Sequence, residues 1–220
     1  MSNFTKLSIS LFVCIFALTS ISTATVMWTD PNGSAGLFDW ANGGSDTGLF
    51  GDPTIVGNTL TFAPSNFKAE AANGEMVEVW DTLHFDIIVH PGSVITGIII
   101  EELGDYSILG SGMVDVFSTV TVTNLDDPNV IYTNELTVNP LMPVDIGDGI
   151  WTAIGGIDNI EVTHIRVSLE NGLLALADYG SIAMIEKKVV GDSIAITIIP
   201  EPATIVILGL GGFLLRKRTK

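Results

Sequence analysis

Cysteine is nearly absent from this chain: Cys14 is the only one in 220 residues. It lies in an apolar N-terminal stretch, and Leu11, Phe12 and Val13 ahead of it lack the small residue that lipoprotein processing needs just before its cysteine. If residues 1–24 are removed, the remaining chain has no thiol. That excludes cysteine nucleophiles, thiolate metal sites and disulfide-stapled scaffolds. Positive charge is scarce too, with nine Lys and Arg against 25 Asp and Glu. Between residues 25 and 199 only Lys68, Arg166, Lys187 and Lys188 remain, against 24 acidic residues. A surface that acidic repels phosphate backbones and anionic headgroups, so nucleic acid is excluded as a partner. Histidine is limited to His84, His90 and His164. No Ser-His-Asp signature, phosphate-binding loop or dinucleotide fingerprint is present.

What is present begins with a leader pattern. Lys6 is followed by an apolar stretch, Leu7 to Leu18, and then by small and hydroxyl residues through Ala24. Ser22 and Ala24 stand three and one residues before an expected cut, the small-x-small pattern of signal peptidase. Residues 1–24 are therefore expected to be a signal peptide, cleaved after Ala24.

The other end reads Ile199-Pro200-Glu201-Pro202, then Ala203 to Leu215 without a charge, then Arg216-Lys217-Arg218-Thr219-Lys220. Thirteen apolar positions make a helix of about 20 Å, short of a full bilayer span. Arg216, Lys217, Arg218 and Lys220 can snorkel to cytoplasmic headgroups, which completes the span and orients the tail inward. Two prolines are expected to end any preceding strand and leave Glu201 in an exposed extended segment.

This arrangement resembles the PEP-CTERM sorting signal: a Pro-Glu-Pro motif, a short apolar helix with glycines (here Gly209, Gly211 and Gly212) and an arginine-rich end. Ile199 stands where the family usually has valine. The resemblance covers about a tenth of the chain. It implies export by a Gram-negative bacterium that makes extracellular polysaccharide, with an exosortase, a membrane protease, as partner. It also implies that Pro200, Glu201 and Pro202 are recognition residues in a substrate rather than catalytic groups. Localisation follows: held at the membrane by the C-terminal helix before processing, then at the cell surface or outside the cell.

Residues 25–199 suffice for one domain with its own core, and their patterning is β throughout. From Thr82 to His90, Leu83, Phe85, Ile87 and Val89 alternate with polar residues. Val114, Val116, Val120 and Val122 do the same, and a turn-rich link, Asn124 to Asn129, leads to a strand over 130–138 carrying Tyr132 and Leu136. Ile194, Ile196 and Ile198 predict a last strand, paired through a Gly191-Asp192 turn with residues 181–190. Apolar residues change phase between Ile160/Val162 and Ile165/Val167/Leu169, which predicts a β-bulge near Thr163-His164. The glycine- and aromatic-rich stretch from Trp28 to Asn58 predicts short strands and tight turns at a sheet edge or end. The expected fold is an all-β antiparallel sandwich of jelly-roll type, flanked by the leader and the tail helix.

Chemistry-bearing residues form weaker patterns. His84 and Asp86 share a strand face about 7 Å apart, while His90 is about 20 Å along, so a metal site would need His164 from another strand. Glu101, Glu102 and Asp105, with Glu135 or Glu161, are the carboxylates available for glycosidase chemistry, although sequence spacing cannot test their separation. Asp30-Pro31-Asn32-Gly33-Ser34, and Asp145, Asp148 and Asp158 among glycines, suggest structural calcium, although turn formation accounts for both. No catalytic set, cofactor or transition-metal site is predicted. The expectation is a non-catalytic surface or matrix protein. The alternative is a carbohydrate-binding module that stacks Trp28, Trp40, Trp80 or Trp151 on sugar rings of the polysaccharide layer.

Overall fold

The computed structural model describes residues 25–187 and 193–202. These residues form strands and turns without a helix. In chain order the strands are β1 (Val26–Met27), β2 (Gly33–Ala35), β3 (Phe38–Ser45), β4 (Thr54–Val56), β5 (Thr59–Phe62), β6 (Lys68–Ala72), β7 (Met76–Val89) and β8 (Ser93–Leu109). There follow β9 (Gly112–Asn124), β10 (Ile131–Glu135), β11 (Thr137–Asn139), β12 (Gly147–Val162), β13 (His164–Ala177), β14 (Ile182–Lys187) and β15 (Ile194–Pro202).

They build two antiparallel sheets. The first runs β1-β3-β7-β13-β9-β10, with β2 on β3. The second runs β11-β12-β8-β15-β5-β4, with β14 joining β8 to β6. Period-2 alternation sends one apolar set from each sheet inward. Leu83, Phe85 and Ile87 of β7, Val120 and Val122 of β9, and Ile165, Val167 and Leu169 of β13 are buried on one side. Leu60, Phe62, Ile98, Ile100, Ile194 and Ile196 are buried on the other. One continuous core between them makes the fold a β-sandwich. Trp28, Phe50, Phe62, Phe67 and Phe85 interlock at one end, with Phe50 edge-on to Phe67 at 5.4 Å between centroids.

The patterned strands form where alternation predicts them, and β9 and β10 are a hairpin across the 124–129 link. The stretch from Trp28 to Asn58 supplies β2 and β3 toward one end of the first sheet and β4 at the edge of the second. Four expectations change. No bulge lies at Thr163-His164. There the chain leaves one sheet and enters the other, so Val162 and Ile165 both point into the same core from opposite sides. The irregularity sits earlier, between Asp158 and Val162, where Asn159 adopts a left-handed φ of 56°. The 130–138 strand likewise divides at Leu136, β10 belonging to one sheet and β11 to the other.

The last strand does not pair with residues 181–190. β14 and β15 lie end to end along one edge of β8, at Gly104–Leu109 and Ser93–Glu102 respectively. A 17-residue strand offers enough edge for both. The Gly191-Asp192 turn lies outside the described residues. Finally, the prolines do not end the strand: β15 continues to Pro202 with a register shift between Ile199 and Pro200. The pairing of β15 with β5 stops at Thr197, so the prolines sit at an irregular edge where a missing N–H removes little.

Candidate functional site

Among the polar side chains buried on the inner faces, three stand together. On β8, Ile98 and Ile100 are followed in phase by Glu102, which is 3% exposed. On β13, Val167 and Leu169 are followed by Asn171, and on β14, Ala183 and Ile185 are followed by Lys187; both polar residues are buried. The three converge. Lys187 Nζ lies 2.8 Å from Glu102 Oε2, with both side chains wholly out of solvent. Glu102 Oε1 accepts from Ser118 Oγ at 3.0 Å and from Asn171 Nδ2 at 2.9 Å. Asn171 Nδ2 also reaches the Glu170 carbonyl at 3.0 Å, which fixes the nitrogen end of the amide toward these acceptors. Its Oδ1 has no partner.

An aromatic sleeve closes around the amine. Lys187 Nζ is 5.0 Å from the Trp151 ring centroid and 5.3 Å from that of Phe67. Gly104 is paired with both Lys187 and Trp151, and a Cβ there would collide with the indole and with the Glu186 carbonyl. Burial drives the Lys187 pKa down, and the attraction and hydrogen bond of Glu102 only partly offset this. Sequence reading singled out Glu102 as a glycosidase candidate and passed over Lys187 and Asn171. The available signal was their phase: each continues the inward parity of its strand.

The other candidate residues are dispersed. Glu101 is exposed on the opposite face of β8 from Glu102, so adjacent carboxylates do not make a catalytic pair. His84 and Asp86 share a face as expected, but Asp86 is held by Arg166 and by Asn42 Nδ2 at 2.7 Å. His90 Nε2 faces Asp39 at 3.0 Å, and His164 Nδ1 lies 3.7 Å from Asp126. Among the described residues no three potential ligands converge on a metal position. Asp148 and Asp158 lie ten positions apart along β12, about 33 Å, so Asp145, Asp148 and Asp158 do not form one calcium loop. Asn32 Oδ1 instead accepts from the Asn42 amide at 3.1 Å, and the Asp30 carbonyl accepts from Trp40 Nε1 at 3.2 Å. Those contacts tie the segment to β3.

The tryptophans divide. Trp28 and Trp151 are buried and Trp40 is half-buried. Trp80, 41% exposed, stacks on Phe117 with centroids 5.3 Å apart and planes 23° apart. The pair occupies the outer face of the first sheet, spanning Gly172 of the intervening strand. Glu201 is exposed at the end of β15, beside a groove of about 680 Å³ lined by Thr96, Asp158, Asn159 and Glu161. Ser22, Ala24, Arg216, Lys217, Arg218 and Lys220 lie outside the described residues, as do the leader and tail helix.

No protein-family model matches the chain, and no curated protein matches it. Among solved structures, a chain of "Structure of infectious bursal disease virus Gx strain" aligns at 13% identity and TM-score 0.23, covering 71% of this chain and 47% of that one. A chain of the corresponding Gt strain structure aligns at 13% identity and TM-score 0.18, covering 76% and 50%. The chain spans about half the length of these structures. Likeness at this level carries no argument.

Proposed function

We propose that this is a non-catalytic exported protein of the cell surface or extracellular matrix. It is delivered by a signal peptide cut after Ala24 and sorted by an exosortase at Pro200, Glu201 and Pro202. The carrying observation is the ordered coincidence of Pro-Glu-Pro, a 13-residue uncharged run and the basic cluster from Arg216 to Lys220 at one terminus. Exposure of Glu201 on extended backbone supports access by a processing protease. In this reading the sandwich is jelly-roll-like, which the alternation of β7, β8 and β9 between the two sheets supports.

Terminal-peptide mass spectrometry of membrane and extracellular fractions tests the proposal. A mature form running from about Thr25 to about Pro200 is expected outside the membrane fraction. A tail from Ala203 to Lys220 retained on all of the membrane-bound protein, with none released, would overturn sorting.

A second reading has its own support in the exposed Trp80–Phe117 stack: binding of a neutral polysaccharide through ring stacking. Affinity electrophoresis in gels cast with soluble neutral glucans should show retardation that Trp80→Ala abolishes. Equal mobility of both proteins in every gel removes this reading.

A further inference from the structure

We infer that Lys187 and Asn171 become joined by an intramolecular isopeptide bond, with Glu102 as the acid–base group that serves the reaction. The reaction is internal to the domain and stands whether or not the sorting proposal holds.

The nucleophile and the amide such a reaction needs are both held on one carboxylate. The nucleophile is the Lys187 amine, fully enclosed and 2.8 Å from Glu102 Oε2. The leaving nitrogen is Asn171 Nδ2, 2.9 Å from Glu102 Oε1. One carboxylate therefore holds the attacking and departing nitrogens on its two oxygens, which is the placement proton transfer between them requires. Ser118 Oγ, 2.8 Å from the same Nδ2 and 3.0 Å from Oε1, keeps the amide from rotating away. The Asn171 carbonyl oxygen makes no hydrogen bond in the resting arrangement.

Burial supplies the reactive protonation state. An ammonium–carboxylate pair enclosed by Phe67 and Trp151 gains little from charge separation, and transfer of the ammonium proton to Glu102 gives a neutral amine and a neutral acid. The lowered Lys187 pKa agrees with that direction. The amine lone pair then attacks Asn171 Cγ, forming the N–C bond and placing negative charge on Oδ1. Glu102 takes the second amine proton as it delivers the first to Nδ2. The charge on Oδ1 collapses to re-form the carbonyl as the Cγ–Nδ2 bond breaks with its electron pair on nitrogen. Ammonia departs with the proton Glu102 delivered, and the second amine proton stays on Glu102. Amine and primary amide become secondary amide and ammonia, so no oxidant, reductant or co-reactant enters. Folding has fixed both reactants on the same carboxylate, which lowers the entropic barrier of a bimolecular aminolysis.

The product would tie β13 of one sheet to β14 of the other. That is the covalent clamp a disulfide would otherwise provide, in a domain whose residues 25–199 contain no cysteine.

Intact-mass measurement of the full chain under denaturing conditions, with both mature termini sequenced first, is the test. The wild-type protein should be lighter than its sequence by one ammonia. Cleavage before Asp178 should leave the Asn171 and Lys187 fragments joined, and trypsin should fail to cut after Lys187. Glu102→Gln and Lys187→Met should each restore the full sequence mass. A wild-type mass equal to the sequence overturns the proposal outright, even if neither variant folds. So does an ammonia loss confined to an unbranched peptide, because Asn171-Gly172 can close to a succinimide of the same mass. A bond that still forms in folded Glu102→Gln would remove Glu102 from the chemistry.

Discussion

Arg166 grips Asp86 through Nε at 2.7 Å and Nη2 at 3.0 Å, from directly paired positions of β13 and β7. The carboxylate is buried and the guanidinium is about half exposed. Burial by itself would raise the Asp86 pKa, but hydrogen bonds from Arg166 and Asn42 outweigh it and hold the group below its usual value. A depressed folded pKa contributes stability that is complete above the unfolded value, near 3.9, and is lost as pH falls through the folded value. Asp86→Ala should cost about 2 kcal/mol at neutral pH, less than a fully buried pair, because Arg166 can turn to water. Urea midpoints of wild type and variant should converge toward the acid end of a series from pH 6 to pH 3. A constant gap would contradict the linkage.

Asp81 organises a loop. Its carboxylate accepts from Ser45 Oγ, Thr47 N and Leu49 N at 2.8 Å each and from Thr82 N at 2.9 Å. The loop it holds delivers Phe50 to the aromatic end of the core. Asp81→Ala leaves these donors unpaired and should cost roughly 3 kcal/mol in denaturant titration. Asp81→Asn should fall between, since an amide retains one acceptor oxygen. A loss below 1 kcal/mol for the alanine variant would show that water replaces the carboxylate without penalty.

Two glycines under tryptophans should behave differently. At Gly104 an added Cβ meets the buried Trp151 ring and the Glu186 backbone carbonyl, neither of which can yield. Gly104→Ala should destabilise by about 3 kcal/mol or more. At Gly172 the obstacle is the exposed Trp80 indole, 2.5 Å from the added carbon, which can swing outward. Gly172→Ala should therefore cost about 1 kcal/mol and shift tryptophan fluorescence as the Phe117 stack opens. Equal melting losses in both variants would refute the contrast.

Asp115 carries the opposite sign from Asp86. It is half-buried opposite Leu174, and burial raises its pKa, while the Val116 amide opposes this in part. A raised folded pKa costs stability as pH climbs past the unfolded value, so the penalty is present at pH 7 and absent in acid. Asp115→Asn should gain under about 1 kcal/mol at pH 7 and nothing near pH 3. A gain that persists in acid would point to packing instead.

The sequence read most clearly where the physics is local. Alternation in 83–89 and 114–122 identified buried faces correctly, because side-chain direction in a strand is a two-residue property. The turn chemistry of 124–129 identified a hairpin for the same reason. Alternation failed where the chain changes sheets. A phase change at Thr163 looks identical whether a strand bulges or turns a corner, and only the opposing layer distinguishes them.

Composition, strand periodicity and the patterns at both termini were thus determined by the sequence alone, since each depends on neighbours within a few residues. Partner choice was decided only in three dimensions. β14 and β15 share an edge of β8 rather than each other, because a long central strand closes more pairing than a short hairpin would. The buried cluster is the extreme case: Lys187 meets Glu102 across 85 positions, and Asn171 meets it across 69. Each residue announced itself only as a polar side chain at inward parity. That the three parities meet at one carboxylate follows from the stacking of two sheets, which no local pattern encodes.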